Sequence, residues 1–598
     1  MSRGGDDADA ERAWRWFLAC TLASASCGMS YAFSAFSSAL KAEWHLSQPE
    51  LESISVAGNL AAGLLGGALG MLVDAAVPAR SMAGGGALSA IAYAAYWAIA
   101  ARRVPIGALP PVLALGACVA LAACGVSVVM TTVVALLVRT MPSHERGVLI
   151  GLMKAYVGIA AGGLAIVFQG ATGRTLGGDG VRALDFVLAV ALEVALVTLL
   201  PACFLPRRPM RALRAVPDAL SSARARALLT RRTAIVSCCL GAMLVAMAVG
   251  ALVAGARRSA GAAFVVFWLA PLLLTQRGAL ACADGAARAA LARPRARCLL
   301  TATATAGRPT APAHGNERNE RVALLAPADT DGGARGVHER DHAPSAAVPA
   351  PRVVTPCASR ACSAAVLEGA RVCEMARTRE CWAIVFIVSA LFGGGMMVST
   401  NLAQLLGARG ERARTGGALA IFSIGSALGR ALGGLGADAL RLRLGLPATA
   451  CFAVDCALMI CAHALLAGGA SAPPLLSGVL LAGLSFGATW PHVVLVASEC
   501  YGTAHLGANY GFFDGLCQAC GSLLLAKLLP GHVYARAAAA LAPAHGAGGG
   551  GEAECVGAPC FGDAHRAIIV LCALGLCASA WLELAQAARA RNGQTGLT

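Results

Sequence analysis

Two cations stand in stretches that otherwise read as soluble in lipid. Lys154 interrupts "GLMKAYVGIAAGGLAIVF" (151–168), and Arg430 interrupts "FSIGSALGRALGG" (422–434). A charge near the centre of a bilayer costs on the order of 2.5–3.5 kcal/mol on insertion scales, so each one asks for a function or a partner. Arginine holds a carboxylate through two parallel hydrogen bonds, while lysine adds a point charge. Either could hold a small anion. The competing reading pairs each with an acidic side chain such as Glu193 or Asp455. Lys527 and Asp514 fall close to span ends and read as snorkelling or paired groups. Glu499, at the end of a long apolar span, reads as half of a structural ion pair. Lys154 lies eight residues beyond Arg146, about 12 Å along a helix. A lysine stem covers only about half that distance, so snorkelling alone does not account for it.

The elements that hold these residues follow from composition. The chain has 598 residues, 57% of them hydrophobic and 13% charged. Its mean hydropathy is +0.67. A soluble protein of this length needs more charge to cover its surface, and apolar stretches of about 20 residues recur along nearly the whole chain. The expected fold class is an all-α polytopic membrane protein of about fourteen spans. Two pseudo-symmetric six-helix bundles flank two additional central spans. Residues 1–14 are expected as a cytosolic N-terminus, 15–205 as the first bundle and 206–233 as a basic cytosolic linker. Residues 234–280 hold the two additional spans, 281–380 read as a disordered cytosolic loop, 381–588 as the second bundle and 589–598 as a cytosolic tail. The loop is poor in large apolar side chains and cannot bury enough surface to fold. The 207–232 stretch and the loop fall on one side, which the positive-inside rule assigns to the cytosol.

The net charge of +16 is carried by loops between apolar spans, and no nucleic-acid motif accompanies it. Most of the 23 cysteines sit inside apolar runs, as small hydrophobes do. Cys517 and Cys520 form a C-x-x-C without a second pair at zinc spacing, so no metal or other cofactor is expected. Cys555 and Cys560, in a polar loop, are the pair suspected of forming a disulfide.

The two halves repeat one element. "GMLVDAAVPAR" (70–80) and "GLGADALRLR" (434–443) each place a glycine four residues before an aspartate, Gly70 with Asp74 and Gly434 with Asp438. An arginine follows each, Arg80 and Arg441. Such a glycine lets two helices approach closely, and the aspartate can pair with a basic group or cap a neighbouring helix. Matching elements in two halves are the trace of internal repeats in transporters.

This repeated element resembles the signature of the major facilitator superfamily. "YAFSAFSSALKAEWHLSQPELESISVAGNLAAGLLGG" (31–67), "GLMKAYVGIAAG" (151–162), "STNLAQL" (399–405) and "GLSFGATWPHVVLVASECYGTAHLGANYGFF" (483–513) resemble its nodulin-like branch. The resemblance covers all but the termini and the long loop. It implies two bundles rocking about a central site, with the helices of Lys154 and Arg430 facing each other across it. Arg430 is also similar in position to an arginine of the monocarboxylate carriers, whose accompanying aspartate four residues earlier is here Ser426. Asn59 stands where the branch implies an acidic residue, and His492 where it implies an aliphatic one.

On spans that line the implied cavity, Asn59, Asn401 and Gln404 offer neutral hydrogen-bonding groups, and Tyr31 and Tyr156 offer walls. Trp490 and His492 flank Pro491, where a kink could border the cavity or serve packing alone. Interhelical hydrogen bonds are the plainer role for the amides. The expected function is secondary transport of a small organic solute, with a carboxylate anion as the candidate class, accompanied or not by a proton. A non-transporting sensor on the same scaffold is the alternative. No enzyme is expected: H-E-x-x-H, G-x-S-x-G with partners and the nucleotide motif G-x-x-x-x-G-K-[ST] are absent. The partners are the solute and the lipid bilayer, with no nucleic acid. The sequence does not say which membrane holds it.

Overall fold

A computed structural model describes residues 3–142, 145–173, 184–213, 223–276, 367, 369–411, 414–468, 471–541 and 555–595. These all belong to one compact unit, Met1–Leu280 with Ser359–Thr598; a second unit, Ala281–Ala358, lies outside the described residues. The expected loop 281–380 therefore falls outside them as far as residue 366.

Fourteen helices among the described residues are long and apolar enough to cross a membrane. They are α1 (Arg3–Ser24), α2 (Gln48–Ala75), α3 (Pro78–Ala100), α4 (Pro111–Thr140), α5 (Arg146–Thr172), α6 (Asp185–Ala202), α7 (Ala223–Leu252) and α8 (Arg257–Leu274). The second half supplies α9 (Arg379–Thr400), α10 (Thr415–Leu444), α11 (Cys451–Gly468), α12 (Ala472–Tyr501), α13 (Leu506–Cys520) and α14 (Pro559–Thr595). Prolines open α3 and α4, where the missing N–H would be unbonded anyway. The Glu50 carboxylate accepts from the Ser47 backbone N–H at 2.8 Å and closes the start of α2. Leu64 is 86% exposed on α2, and Ile91, Leu192 and Leu273 are likewise exposed, as lipid-facing side chains are.

Several boundaries differ from expectation. The linker 206–233 ends in helix, because α7 already starts at Ala223. The last residues of the expected loop are ordered: the Leu367 and Gly369 N–H groups donate to the carbonyls of Cys500 and Tyr501, and Val372–Met375 forms a helical turn. Helix α14 runs on through the expected tail, where Arg589 pairs with Glu380. Helix α13 continues through a π-helical segment, Gly521–Leu528, and then α-helix to Leu541, so Lys527, expected close to a span end, lies inside it.

The two halves interlock reciprocally. Helix α2 lies along α13, and α10 lies along α5. Both contacts need glycine. A Cβ at Gly66 would collide with the Gly511 carbonyl, and one at Gly434 with that of Gly147. The additional helices α7 and α8 pack on each other and against α5. Arg232 of α7 bonds the Thr275 carbonyl at 3.0 Å and pairs with Glu11 at 2.6 Å, while the Trp14 indole donates to the Thr275 hydroxyl. The additional pair is thereby tied to α1.

Candidate substrate cavity

A cavity of about 130 Å³ lies between the two halves. Tyr31, from the 3-10 turn that follows α1, lines it together with Asn59 (α2), Lys154 (α5), Arg430 (α10), Trp490 (α12), Asp514 and Gln518 (α13). Phe33, Phe36, Tyr93, Tyr96, Phe392 and Met396 supply apolar and aromatic surface. The α2 residues facing it (Ser55, Gly58, Asn59, Ala62) come from the half of that helix remote from Asp74.

The two cations are compensated differently. Lys154 is 2% exposed; its ammonium donates to the Tyr510 hydroxyl at 2.6 Å, and that hydroxyl donates to Asp514 Oδ1 at 2.7 Å. The ammonium also lies 4.9 Å from the Tyr510 ring centre and 5.4 Å from that of Trp490, within cation–π range. Arg430 is 1% exposed and has only neutral partners: Ser426 Oγ at 2.5 Å and the Tyr31 hydroxyl at 3.4 Å. No carboxylate among the described residues reaches it. The acidic groups expected as partners serve neither cation. Asp455 Oδ2 lies 2.7 Å from His492 Nδ1, and Glu193 Oε2 has no hydrogen-bond partner. Three potential donors of the lining residues make no hydrogen bond to the protein: Arg430 Nε, Trp490 Nε1 and the Tyr96 hydroxyl. Such a wall suits a ligand rich in acceptors.

Five of the nine residues expected at the site line the cavity: Tyr31, Asn59, Lys154, Arg430 and Trp490. Four do not. Tyr156 turns to the other side of α5, against Leu18, Val236 and Trp268, where it meets the additional helices. His492 is committed behind the cavity, between Asp455 and the Gly433 carbonyl, to which its Nε2–H donates at 3.0 Å. Asn401 ends α9, its amide donating to the carbonyls of Met397 and Ala526. Gln404 is exposed on the short helix Leu402–Ala408. Asn59 itself bonds Ser522, in the π-helical segment, at 2.6 Å. Segments of that kind recur at functional sites. Asp514, read from the sequence as a span-end group, lines the cavity, and Tyr510, which sequence reasoning did not single out, bridges it to Lys154.

The repeated aspartates close one end. Asp74 accepts from the Gly507 and Ala508 N–H groups at the start of α13, at 3.2 and 3.0 Å. Asp438 accepts from Gly147 and Val148 at the start of α5, at 3.1 and 2.8 Å. Each carboxylate thus sits on the positive end of a helix from the opposite half. Arg80 is exposed and does not serve Asp74. Arg139, at the end of α4, takes that place at 2.9 Å and also donates to the Ala504 carbonyl. Arg441 pairs with Glu499 at 2.9 Å rather than with Asp438, and Glu499 also accepts from Ala448 N–H. At the opposite end, a disulfide ties Cys555 to Cys560 in the first turn of α14.

Residues 13–275 match the Nodulin-like family model. No curated protein matches the chain by sequence. Among solved structures, the proton:xylose symporter XylE bound to 6-bromo-6-deoxy-D-glucose aligns with a TM-score of 0.50 and 10% identity, over 96% of this chain and 96% of that one. The human organic anion transporter MFSD10 aligns with a TM-score of 0.48 and 13% identity, over 95% and 99%. Residues 13–275 are thus similar to the Nodulin-like family, and the chain is a multi-pass membrane protein with the major facilitator fold.

Proposed function

We propose that this protein is a secondary transporter that carries a small organic anion, a carboxylate by preference, by rocking its two bundles about the central cavity. Arg430 carries the reading. A buried guanidinium with only neutral partners is costly, and an anion in the cavity would supply the missing charge through two parallel hydrogen bonds. The aromatic and methionine surface around it suits an apolar body attached to that anion.

The end held by Asp74 and Asp438 faces the cytosol in this reading. The basic residues Arg207, Arg208 and Arg211 after α6 lie at that end, where the Met210 N–H donates to the Ala76 carbonyl, and such residues mark cytosolic segments. The Cys555–Cys560 disulfide lies at the other end, where an oxidising compartment preserves it.

The test is uptake into liposomes holding the purified protein. The panel contains lactate, malate and p-aminohippurate, with xylose and tetraethylammonium as neutral and cationic controls. Saturable uptake of a carboxylate, lost on Arg430→Gln, is expected. Uptake confined to xylose or tetraethylammonium would refute the anion reading, and no flux of any solute would favour the sensor.

A further inference from the structure

The internal repeat places opposite charges at equivalent positions. Lys154 stands seven residues after Gly147, whose N–H meets Asp438; Asp514 stands seven residues after Gly507, whose N–H meets Asp74. Helices α5 and α13 are therefore counterparts, and their charges meet across the cavity through the Tyr510 hydroxyl. This bridge joins the two halves at the cavity wall, on the two helices whose ends the gate aspartates hold. Its charges cancel, which leaves Arg430 as the uncompensated cation of the lining.

We propose that Asp514 takes up a proton with each anion, so that the protein is an anion–proton symporter in which Lys154 is shared between Asp514 and the substrate. The inference rests on the anion reading above. In the empty cavity Lys154 and Asp514 neutralise each other through Tyr510. An anion docked on Arg430 competes for the Lys154 ammonium and sets a second negative charge beside Asp514. Like charges in a desolvated site disfavour ionisation, so the carboxylate gains a proton from water on the open side. One O–H bond forms on Asp514, and the same proton leaves on the other side after the anion. The loaded cavity then carries the charge it had when empty, and the Lys154–Tyr510–Asp514 bridge no longer ties the two halves. Binding of either species favours the other, as reciprocal coupling requires.

The titratable groups near Asp514 are few. Lys154 comes from α5, Cys27 and Tyr31 from the turn after α1, and Tyr510 and Cys517 from α13 itself, with Arg430 of α10 next to Lys154. The cavity-lining side chains of α2, α4, α9 and α12 carry no group that ionises near neutral pH. Asp514 is therefore the one carboxylate in the described cavity wall.

The experiment measures p-aminohippurate uptake and lumenal acidification together, in liposomes loaded with a pH-sensitive dye and made acidic outside. The wild type should accumulate the anion with about one proton each, as obligatory coupling demands. In Asp514→Asn the proton-to-anion ratio should fall at least tenfold, because the amide cannot titrate. Residual uptake should no longer rise with the proton gradient. Asp514→Glu should restore the ratio. Asp514→Asn with the wild-type ratio, or wild-type uptake without acidification, overturns the proposal and leaves anion transport standing. If Asp514→Asn moves no anion, Asp514→Glu decides: coupled uptake supports the proposal and uncoupled uptake overturns it. If the wild type moves neither p-aminohippurate nor any other carboxylate of the panel, the anion reading itself has failed before any variant is compared.

Discussion

Arg430 and Lys154 differ in compensation, and their substitutions should differ accordingly. Arg430→Gln removes a charge-assisted grip worth about 1.5–3 kcal/mol, so apparent anion affinity should weaken roughly 10- to 100-fold. Arg430→Lys keeps the charge without the fork, and its affinity should fall between the two. Equal affinity in all three would separate Arg430 from the substrate. His492 gives the contrasting case. Its imidazole is the hydrogen-bond partner of the buried Asp455 carboxylate. His492→Ala leaves that carboxylate without a partner and should destabilise the fold by about 3–5 kcal/mol, read as a lower melting temperature in detergent. Uptake per folded molecule should not change; a selective loss of uptake would return His492 to the site. These cases show what single residues disclose. A cation, amide or aromatic in an apolar run is visible in sequence, and Tyr31, Asn59, Lys154, Arg430 and Trp490 stood out for that reason. The face it occupies is harder to read. Tyr156 follows Lys154 by two residues, about 200° around the helix, and so must look away from the cavity. Asp514 was read as a span-end group because it lies only eight residues after the start of α13 at Leu506, yet that is the depth at which Lys154 follows Arg146 on α5, and both reach the cavity.

At the scale of elements, the closed end is held by two carboxylate-to-helix contacts related by the repeat. The Gly-x-x-x-Asp pattern was legible, since four residues place the glycine one turn behind the aspartate on one face. The partners were not, because nothing local links α2 to the start of α13 or α10 to the start of α5. Asp74 and Asp438 are not equivalent in strength. Asp74 holds two N–H groups and Arg139, whereas Asp438 has two N–H groups and, among the described residues, no ion pair within contact distance. Each Asp→Asn change should shift the population toward the state open at this end while leaving anion affinity largely unaltered. The shift should be larger for Asp74→Asn, which also strands the largely buried Arg139. Distances between spin labels on the ends of α2 and α13, and of α10 and α5, measure it. Unchanged distances in both variants would remove these aspartates from the gate. Gly434→Val provides a steric counterpart. Its side chain would strike the Gly147 carbonyl and should hold the gate open, with transport lost and the longer distance dominant.

For the whole molecule, orientation decides which way the cavity delivers its solute. The count of fourteen spans was readable because each must supply enough apolar length to cross the hydrocarbon core. Orientation rests on thinner signals, since Arg102, Arg257 and Arg409 fall on the side assigned outside. Two cysteine features at opposite ends of the bundle now make it testable. The Cys555–Cys560 disulfide sits at the start of α14, at the end remote from Asp74. Cys373 is free and exposed on Val372–Met375, beside the start of α13 at the aspartate end, where Asn509 donates to the Ala370 carbonyl. In sealed vesicles with the native outer face exposed, a membrane-impermeant maleimide should leave Cys373 untouched. It should label Cys555 and Cys560 only after an impermeant reductant, with the labelled peptides identified by mass spectrometry. Permeabilisation should then expose Cys373 without any reductant. The reverse pattern, Cys373 labelled from outside and the Cys555–Cys560 pair protected, would invert the molecule. The closed gate would then face outward, and the proton and anion would be loaded from the cytosol.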